Sequence, residues 1–233
     1  MSVQYYQAKI AKITQETPFA RTFLLDLRGE MQFLPGQFVM VELKKMPGVK
    51  RAYSLSSSPT QTKTVSITLK KEGQFTTEMF STAEGEEITI RGPMGHFVLH
   101  EQSKEEIVFI AGGTGVAPFR SMISFVLEKG MPNKMTLYYS CKNPEEFIFY
   151  REFVALQAKY PQFTPIFTAT RCQDPSWNGF CERINPNMLT RTLQEPKACM
   201  YYICGPTEMV ASMQAMLDGM GIEKKKTKVE RWG

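Results

Sequence analysis

The segment Ile107–Met122 constrains the fold more than any other stretch, because it joins an apolar run to a glycine-rich turn and a helical pattern. The run follows the charged Lys104–Glu106 and is typical of a strand buried on both faces, as in parallel sheets. From Val116 onward the apolar residues have helical spacing, and Pro118 falls in the first turn, where proline is tolerated. The segment therefore predicts a strand, a tight turn and a helix.

Gly112, Gly113 and Gly115 leave Thr114 as the one side chain of the turn. A helix that begins there presents unpaired N–H groups and the positive end of its dipole, which suits a phosphate. The spacing is not the G-x-G-x-x-G fingerprint, because bulk such as Phe119 stands where the third glycine is expected. A glycine turn is equally compatible with a plain compact connection, so the turn alone leaves the function open.

Composition limits the alternatives. A chain of 233 residues with 42% apolar content allows one large domain or two ordinary ones. Its five cysteines are widely spaced and form no C-x-x-C pair, which argues against a disulfide framework, a zinc site or an iron–sulfur cluster and favours reduced thiols. With two histidines, His96 and His100, protein-only metal chemistry and catalysis by imidazole are not expected.

No apolar run reaches the roughly 20 residues that cross a bilayer, and the first residues lack the apolar core of a secretory signal. We therefore expect a cytoplasmic protein without a membrane span. The net charge of +5 comes partly from Lys224–Lys228, which is either a solvated lysine run or a docking surface for an acidic protein. Nucleic-acid binding is not expected, because no basic face with interleaved aromatic residues is visible.

The first part of the chain has β-type alternation interrupted by Gly and Pro turns, which predicts an antiparallel β-barrel. The predicted strands are Tyr5–Thr14, Phe19–Leu27, Gln37–Leu43, Ala52–Ser56, Thr64–Lys70 and Glu87–Arg91. One short helix is predicted over Thr76–Ala83, capped by Thr76 or Thr77.

From Lys104 onward strands and helices alternate, which predicts an α/β domain with a doubly wound parallel sheet. The predicted helices are Ala117–Lys129, Phe147–Lys159, one near Asn185–Leu193, and Thr207–Gly219. We predict two domains, residues 1–101 and 102–233. Ligands of such a sheet lie outside the carboxyl ends of its strands. Those ends are predicted at Gly112–Gly115, Ser140–Lys142, Thr170–Arg171 and Cys204–Pro206.

Arg51–Ser56 is the most informative stretch of the barrel. Strand alternation places Arg51 and Tyr53 on one face and Ser54 on the other. An arginine and an aromatic ring on one face can pair with a diphosphate and stack on a flat ring, while Ser54 offers a hydroxyl. The alternative is a sheet-face arginine beside a core tyrosine.

Several further motifs accompany this stretch in a fixed order, and together they resemble the ferredoxin–NADP reductase superfamily, which joins a flavin-binding barrel to a nicotinamide-nucleotide domain. Thr77 stands where that family usually has serine, and Glu182 stands where it has glycine in the Trp177–Ile184 segment. The motifs are Arg51–Ser54, Gly73–Thr77, Gly92–Phe97, Gly113–Ser121, Cys204–Pro206 and Glu230–Gly233.

The resemblance implies FAD and either NADPH or NADH as cofactors, with hydride passing between them. It implies that Ser54 bonds near the flavin N5 and that Cys204 packs beside the nicotinamide. It also implies that Glu230 tunes the nicotinamide or relays protons, and that Trp232 covers the flavin face. Otherwise Cys204 is a small buried apolar residue and Trp232 a terminal core aromatic.

The implied cofactor-binding residues form two groups, one on each predicted domain. The flavin group is Arg51, Ala52, Tyr53, Ser54, Thr68, Lys70, Gly73, Thr76 and Thr77. The nicotinamide group is Gly113, Thr114, Gly115, Pro118, Lys142, Thr170, Arg171, Arg183, Cys204, Gly205 and Pro206, with Trp232 between the two cofactors.

Thr170-Arg171 falls where NADP-preferring members of the family often carry Ser-Arg, and Lys142 and Arg183 add charge. We therefore favour NADPH. Alternatively Arg171 is solvated or pairs with Asp174.

The implied activity is that of an FAD-dependent NAD(P)H oxidoreductase that passes electrons to ferredoxin, flavodoxin or a small-molecule acceptor. Two alternatives remain: an NAD(P)H–flavin reductase or oxygenase reductase component, and a non-catalytic electron-transfer subunit of a larger complex. FMN in place of FAD and the oligomeric state stay open. A hydrolase is not supported, because no Ser-His-Asp or paired-carboxylate arrangement is present.

Overall fold

The computed structural model describes residues 3–172 and 174–232. Contacts group the chain into two compact units. One contains the residues up to Glu101 together with Ala117–Lys129, and the other contains Gln102–Val116 together with the residues from Gly130 onward. This grouping differs from the predicted division at one helix, and the division into domains stays a prediction. Within the described ranges, no helix is long and apolar enough to span a bilayer.

The first unit is built on a six-stranded antiparallel sheet with the strand order β4-β3-β6-β1-β2-β5. Its strands are β1 (Gln4–Thr17), β2 (Ala20–Leu27), β3 (Phe38–Glu42), β4 (Lys50–Ser54), β5 (Thr64–Lys70) and β6 (Glu87–Met94). The bridge Leu55↔Ile67 brings the two edge strands together. Alternation buries one face of each strand in an apolar interior that includes Phe23, Val39 and Ile90, as the sequence predicts.

Two helices belong to this unit, α1 (Gly73–Phe80) and α2 (Ala117–Glu128). Helix α1 begins three residues before its predicted start, so the prediction that Thr76 or Thr77 caps it is wrong. The N-cap is Glu72, which makes no side-chain cap bond. Gly73 turns the chain with φ 79°, and the Thr76 hydroxyl donates back to the Glu72 carbonyl at 2.6 Å instead of capping.

The second unit contains a five-stranded parallel sheet with the order β11-β10-β7-β8-β9. Its strands are β7 (Ile107–Gly112), β8 (Met135–Cys141), β9 (Phe163–Ala169), β10 (Met200–Pro206) and β11 (Thr227–Trp232), and its helices are α3 (Tyr150–Lys159), α4 (Pro186–Thr192) and α5 (Thr207–Gly219). Apolar residues of α4 and α5 pack on one sheet face around Val108, Tyr201 and Ile203. The predicted parallel α/β fold is confirmed.

Two local features of this unit differ from expectation. Helix α3 begins at Tyr150 rather than Phe147, because its N-cap Phe149 adopts a left-handed conformation with φ 62°. The structure also pairs Cys172 with Cys181 as a disulfide, with their Cα atoms 5.4 Å apart, whereas the sequence favours reduced thiols throughout. Cys141, Cys199 and Cys204 are free and buried.

Candidate functional site: two nucleotide-binding surfaces

In the first unit, Arg51 and Tyr53 share a face of β4, as alternation predicts, because they pair with Val41 and Val39 of β3. Tyr53 stacks on Phe75 of α1 with ring centroids 6.1 Å apart. The Arg51 guanidinium carbon lies 6.0 Å from the centre of the same ring. Burial raises the pKa of Tyr53 to about 12, and the positive charge of Arg51 opposes that shift. Arg51, Tyr53 and Phe75 therefore form one surface.

The start of α1 adds donors to this surface. With no side-chain cap at Glu72, the first N–H groups of the helix keep their capacity to bind an anion. The hydroxyl of Thr77 donates to the Gly73 carbonyl at 2.9 Å. The Thr77 and Thr76 hydroxyls are thus engaged within the helix, and the donors that remain are main-chain groups.

The pairing between β4 and β5 is short and lies next to Tyr53. The two strands meet at the Leu55↔Ile67 bridge and through the Ser56 N–H, which donates to the Ser66 carbonyl at 2.8 Å. In the described part of the chain, no β4–β5 pair follows toward Lys70. The pairing of β4 with β5 therefore ends next to the aromatic surface.

The remaining residues of the flavin group take different positions. Thr68 is buried, and its hydroxyl lies 2.9 Å from those of Thr22 and Ser56. Its side chain lies on the sheet face opposite the core residues Ile67 and Leu69. Lys70 lies 3.9 Å from the Glu72 carboxylate. Ser54 is half-buried and Ala52 is exposed. Phe75 is the residue that sequence reasoning missed, although it lies inside the Gly73–Thr77 motif.

This surface fits FAD on its own geometry. Two stacked aromatic side chains offer a wall for a flat ring. Arg51 and the uncapped start of α1 offer positive charge and N–H donors for a diphosphate.

In the second unit, the glycine turn packs directly on the end of β10. A Cβ atom on Gly115 would collide with the Cys204 carbonyl, and one on Gly112 would collide with the Met209 sulfur. Gly113 has φ 53° and open space around it. The glycines of the turn and the Cys204–Pro206 motif are therefore parts of one site, because only glycine permits this approach.

Tyr139 supports the turn from β8. Its hydroxyl donates to the Gly113 carbonyl at 3.0 Å and accepts from the Ile148 N–H at 3.2 Å. Complete burial raises its pKa well above the ordinary value, so the phenol stays protonated and keeps donating. Nothing in the sequence marks Tyr139 for this role, because a tyrosine within a buried strand has no distinguishing pattern.

Cys204 pairs with Glu230 across β10 and β11, and Pro206 pairs with Trp232. Burial, with a smaller contribution from the Glu230 carboxylate, raises the pKa of the Cys204 thiol well above its ordinary value. The thiol is therefore neutral near pH 7 and is suited to packing rather than to nucleophilic attack. Trp232 is 38% exposed.

Main-chain hydrogen bonds join the ends of β8 and β9 at the predicted carboxyl edge of the sheet. The Thr170 N–H donates to the Cys141 carbonyl at 2.9 Å, and the Arg171 N–H donates to the Lys142 carbonyl at 2.8 Å. Arg171 and Lys142 are exposed. The Asp174 carboxylate accepts from the Ser176 N–H and hydroxyl at 2.8 and 2.6 Å, which gives it a local partner other than Arg171.

The segment Trp177–Arg183 runs beside β9. Gly179 is required because a Cβ there would meet the Trp177 ring and the Phe167 carbonyl. Trp177 in turn stacks on Phe147, with centroids 5.2 Å apart. Glu182, which replaces the usual glycine, keeps an exposed side chain that accepts from Asn185 at 2.8 Å. Arg183 follows it and is exposed.

The lysine run lies at the opposite edge of the sheet. Lys226 donates to the Lys197 and Ala198 carbonyls, which precede β10. At about 3.3 Å per strand residue, Lys226 is roughly 13 Å along β11 from Glu230. The lysine run therefore lies at the amino end of β11, and its role as a docking surface stays a prediction.

Two family models match the chain. An oxidoreductase FAD-binding domain matches residues 7–99, and an oxidoreductase NAD-binding domain matches residues 109–215. The chain belongs to the ferredoxin–NADP reductase-like oxidoreductases. Members of this family bind FAD and a nicotinamide nucleotide. The surface of Arg51, Tyr53 and Phe75 falls within the first matched range, and the glycine turn with Cys204–Pro206 falls within the second, whereas Glu230 and Trp232 lie beyond it.

Relatives differ from this chain in length. The glycine betaine monooxygenase reductase subunit of Pseudomonas aeruginosa strain UCBPP-PA14 is 28% identical over 97% of this chain and 63% of its own length. One subunit of the Na(+)-translocating NADH-quinone reductase of Actinobacillus succinogenes is 29% identical over 78% of this chain and 48% of its own length. The chain thus spans about half to two thirds of these relatives.

Solved structures share the fold. The ferredoxin reductase in carbazole 1,9a-dioxygenase superposes with a TM-score of 0.89 at 20% identity, covering 100% of this chain and 70% of that one. A ferredoxin NADP+ reductase from Neisseria gonorrhoeae with bound FAD and NADP superposes with a TM-score of 0.81 at 24% identity, covering 99% of both chains.

Proposed function

We propose that this oxidoreductase takes reducing equivalents from NADPH or NADH and delivers them to a separate redox protein. The observation that carries the proposal is the presence of two nucleotide surfaces of different chemistry. One is lined by Arg51, Tyr53 and Phe75, and the other is a glycine turn packed on Cys204. When bound, FAD supplies the ability to accept a hydride and release electrons singly.

Within this proposal each side chain has a defined task. Arg51 pairs with the diphosphate, Tyr53 stacks on the flavin ring, and the Ser54 hydroxyl bonds to the ring edge. Cys204, which is neutral and buried, packs beside the nicotinamide and limits access of water. Glu230 holds a carboxylate next to it in register, and Trp232 covers the ring until nucleotide binds. These roles account for orientation, which is the main contribution of a protein to cofactor chemistry.

NADPH is the proposed donor, because the exposed Arg171 and Lys142 lie on adjacent strand ends at the carboxyl edge. Two cations in that position suit a 2′-phosphate. The bonds from Ser176 to Asp174 support the same assignment, since this carboxylate has a partner other than Arg171.

An oxygenase reductase component is the second candidate. It is favoured by the similarity to the glycine betaine monooxygenase reductase subunit over 97% of this chain. The two candidates differ in the redox protein that accepts the electrons, which is ferredoxin or flavodoxin in the first and an oxygenase in the second. Assay of the purified protein with each acceptor in turn distinguishes them.

The deciding experiment is an absorbance spectrum of the purified protein before and after anaerobic NADPH or NADH. We expect a flavin spectrum that bleaches with either nucleotide, at lower concentration with NADPH. A bound flavin that neither nucleotide bleaches would favour the non-catalytic subunit, and absence of flavin binding after incubation with FAD would reject the proposal.

A cytoplasmic location is also proposed. Three of the cysteines are free thiols, which is the usual state in reducing compartments, whereas the Cys172–Cys181 pair is more typical of oxidising ones. Thiol trapping in intact cells followed by peptide mass analysis tests the location, because full oxidation of that pair would contradict it.

A further inference from the structure

Arg120, the fourth residue of α2, contacts the main chain of the barrel. Its Nη1 donates to the Ser56 carbonyl at 2.9 Å. Ser56 is completely buried, and a hydrogen bond from a guanidinium to a buried carbonyl is stronger than a bond between neutral groups.

The other polar groups of Ser56 already have partners. Its N–H donates to the Ser66 carbonyl at 2.8 Å, and its hydroxyl lies 2.9 Å from that of Thr68. Arg120 therefore provides the bond for the one remaining group, the carbonyl. Loss of the guanidinium would leave that carbonyl without this donor in a buried position, which is costly enough to move the main chain.

Ser56 lies two residues beyond Ser54, and the intervening Leu55 is held by its N–H, which donates to the Gln37 carbonyl at 2.9 Å. The end of β4 is thus fixed at successive residues, and Arg120 is the one side chain from outside the sheet that takes part in the bonds described here. A shift of Ser56 would be passed to Ser54 through two peptide units.

We propose that Arg120 is a positioning residue for the redox reaction. Through the Ser56 carbonyl it fixes the strand end that carries Ser54, whose hydroxyl is assigned to the flavin edge. The inference rests on the proposed function. It predicts an effect on the rate of the chemical step rather than on cofactor retention, because Arg51, Tyr53 and Phe75 remain in place.

A second contact between α2 and the segment that follows β4 provides a matched control. At the far end of α2, the exposed Thr60 hydroxyl donates to the Glu128 carboxylate. The start of α2 is also held by Phe119, whose ring centroid lies 6.0 Å from that of Phe97. Thr60→Val removes a tether of α2 without touching the Ser54–Ser56 strand end, and so separates helix anchoring from positioning.

The test compares Arg120→Met, Arg120→Lys and Thr60→Val with the wild type. FAD content, melting temperature and the anaerobic rate of flavin reduction over a range of NADPH and NADH concentrations are measured. For Arg120→Met we expect the limiting rate to fall about tenfold, with FAD content and the half-saturating nucleotide concentration close to wild type. Arg120→Lys should recover most of the rate, and Thr60→Val should retain it.

The proposal is overturned if Arg120→Met keeps a limiting rate within about twofold of wild type, or if Thr60→Val loses as much. Should Arg120→Met fail to fold, Arg120→Gln replaces it under the same criteria. If the wild-type protein binds FAD but is reduced by neither nucleotide, the proposed function fails. The position of the bound-flavin absorption band then decides: a shift in Arg120→Met but not in Thr60→Val supports positioning, and an unchanged band rejects it.

Discussion

The two proposed nucleotide surfaces, one in each unit, are built by different means. In the first unit the surface is made of side chains that strand alternation and one helix bring together, namely Arg51, Tyr53 and Phe75. In the second unit it is made of main chain, because Gly115 lies against the Cys204 carbonyl. The first surface should therefore be sensitive to truncation of side chains, and the second to the addition of even one methyl group.

The largest effect is expected for Gly115→Ala. The new Cβ would collide with the Cys204 carbonyl, which is main chain and cannot rotate away, so the turn must move. We expect nucleotide-driven flavin reduction to fall at least about 100-fold, equivalent to about 2.7 kcal/mol, while FAD content stays near wild type. Stopped-flow reduction and the absorbance ratio of flavin to protein measure the two quantities.

Gly219→Ala is the matched control, because a Cβ at the end of α5 meets nothing within 4 Å. We expect it to be neutral or slightly stabilising. Wild-type reduction kinetics in Gly115→Ala would show that main-chain packing does not define the second surface.

Arg51→Met should produce a smaller and complementary loss. In the proposed function the Arg51 guanidinium makes a charge-assisted bond to the diphosphate, so we expect its removal to lower FAD affinity about 10-fold to 100-fold, or about 1.4–2.7 kcal/mol. Titration of the apoprotein with FAD measures the effect. Nucleotide affinity should be unchanged.

Arg91→Met serves as its control. Arg91 is also an exposed arginine near an aromatic ring, 5.4 Å from the centre of Tyr5, but it pairs with Met40 whereas Arg51 pairs with Val41. The two arginines therefore lie on opposite faces of the sheet. Equal FAD loss in both variants would contradict a specific role for Arg51.

The smallest expected effect is a difference between the two units in how their stability depends on pH. Burial raises the pKa of Tyr138, Tyr202 and Cys199 to about 12 and that of Tyr139 well above its ordinary value, all in the second unit. The folded state therefore keeps protons that the unfolded chain releases at ordinary tyrosine and cysteine pKa values. The contribution of these groups to the free energy of unfolding is fully present below about pH 8.5. It declines as the pH rises toward 12, by up to about 1.4 kcal/mol per pH unit for each group.

Hydrogen exchange measured from pH 8 to 10.5, corrected for the intrinsic pH dependence, should show protection lost first in β8 and β10. The first unit carries fewer such groups, chiefly Tyr53 with a pKa raised to about 12. Tyr202→Phe should make the decline shallower. Earlier loss of protection in β1 and β2 would reverse the expected order.

Much of this architecture could be predicted from the sequence, because both periodicities are strong. Strand β5 and helix α5 begin and end at their predicted residues, and the carboxyl edge of the sheet lies where its glycines and polar residues indicate. The start of α1 was misjudged because Thr76 is a good capping residue by type, yet a glycine with positive φ already begins the helix.

Other features depend on contacts between residues distant in the sequence, which local patterns do not reveal. The role of Tyr139 depends on a bond to Gly113, and that of Arg120 on one to Ser56. The Cys172–Cys181 pair was missed because five cysteines without a motif do not indicate which two are adjacent. The roles of Ser54, Glu230 and Trp232 stay predictions.

The contact between Gly115 and Cys204 also limits how such proteins can be recombined. The two loops belong to separate motifs, but they pack so closely that the shape of each one limits the shape of the other. Protein engineers who wish to transfer nucleotide preference from a longer relative would need to transplant both loops together, since a chimera carrying only one would join surfaces that evolved against different neighbours.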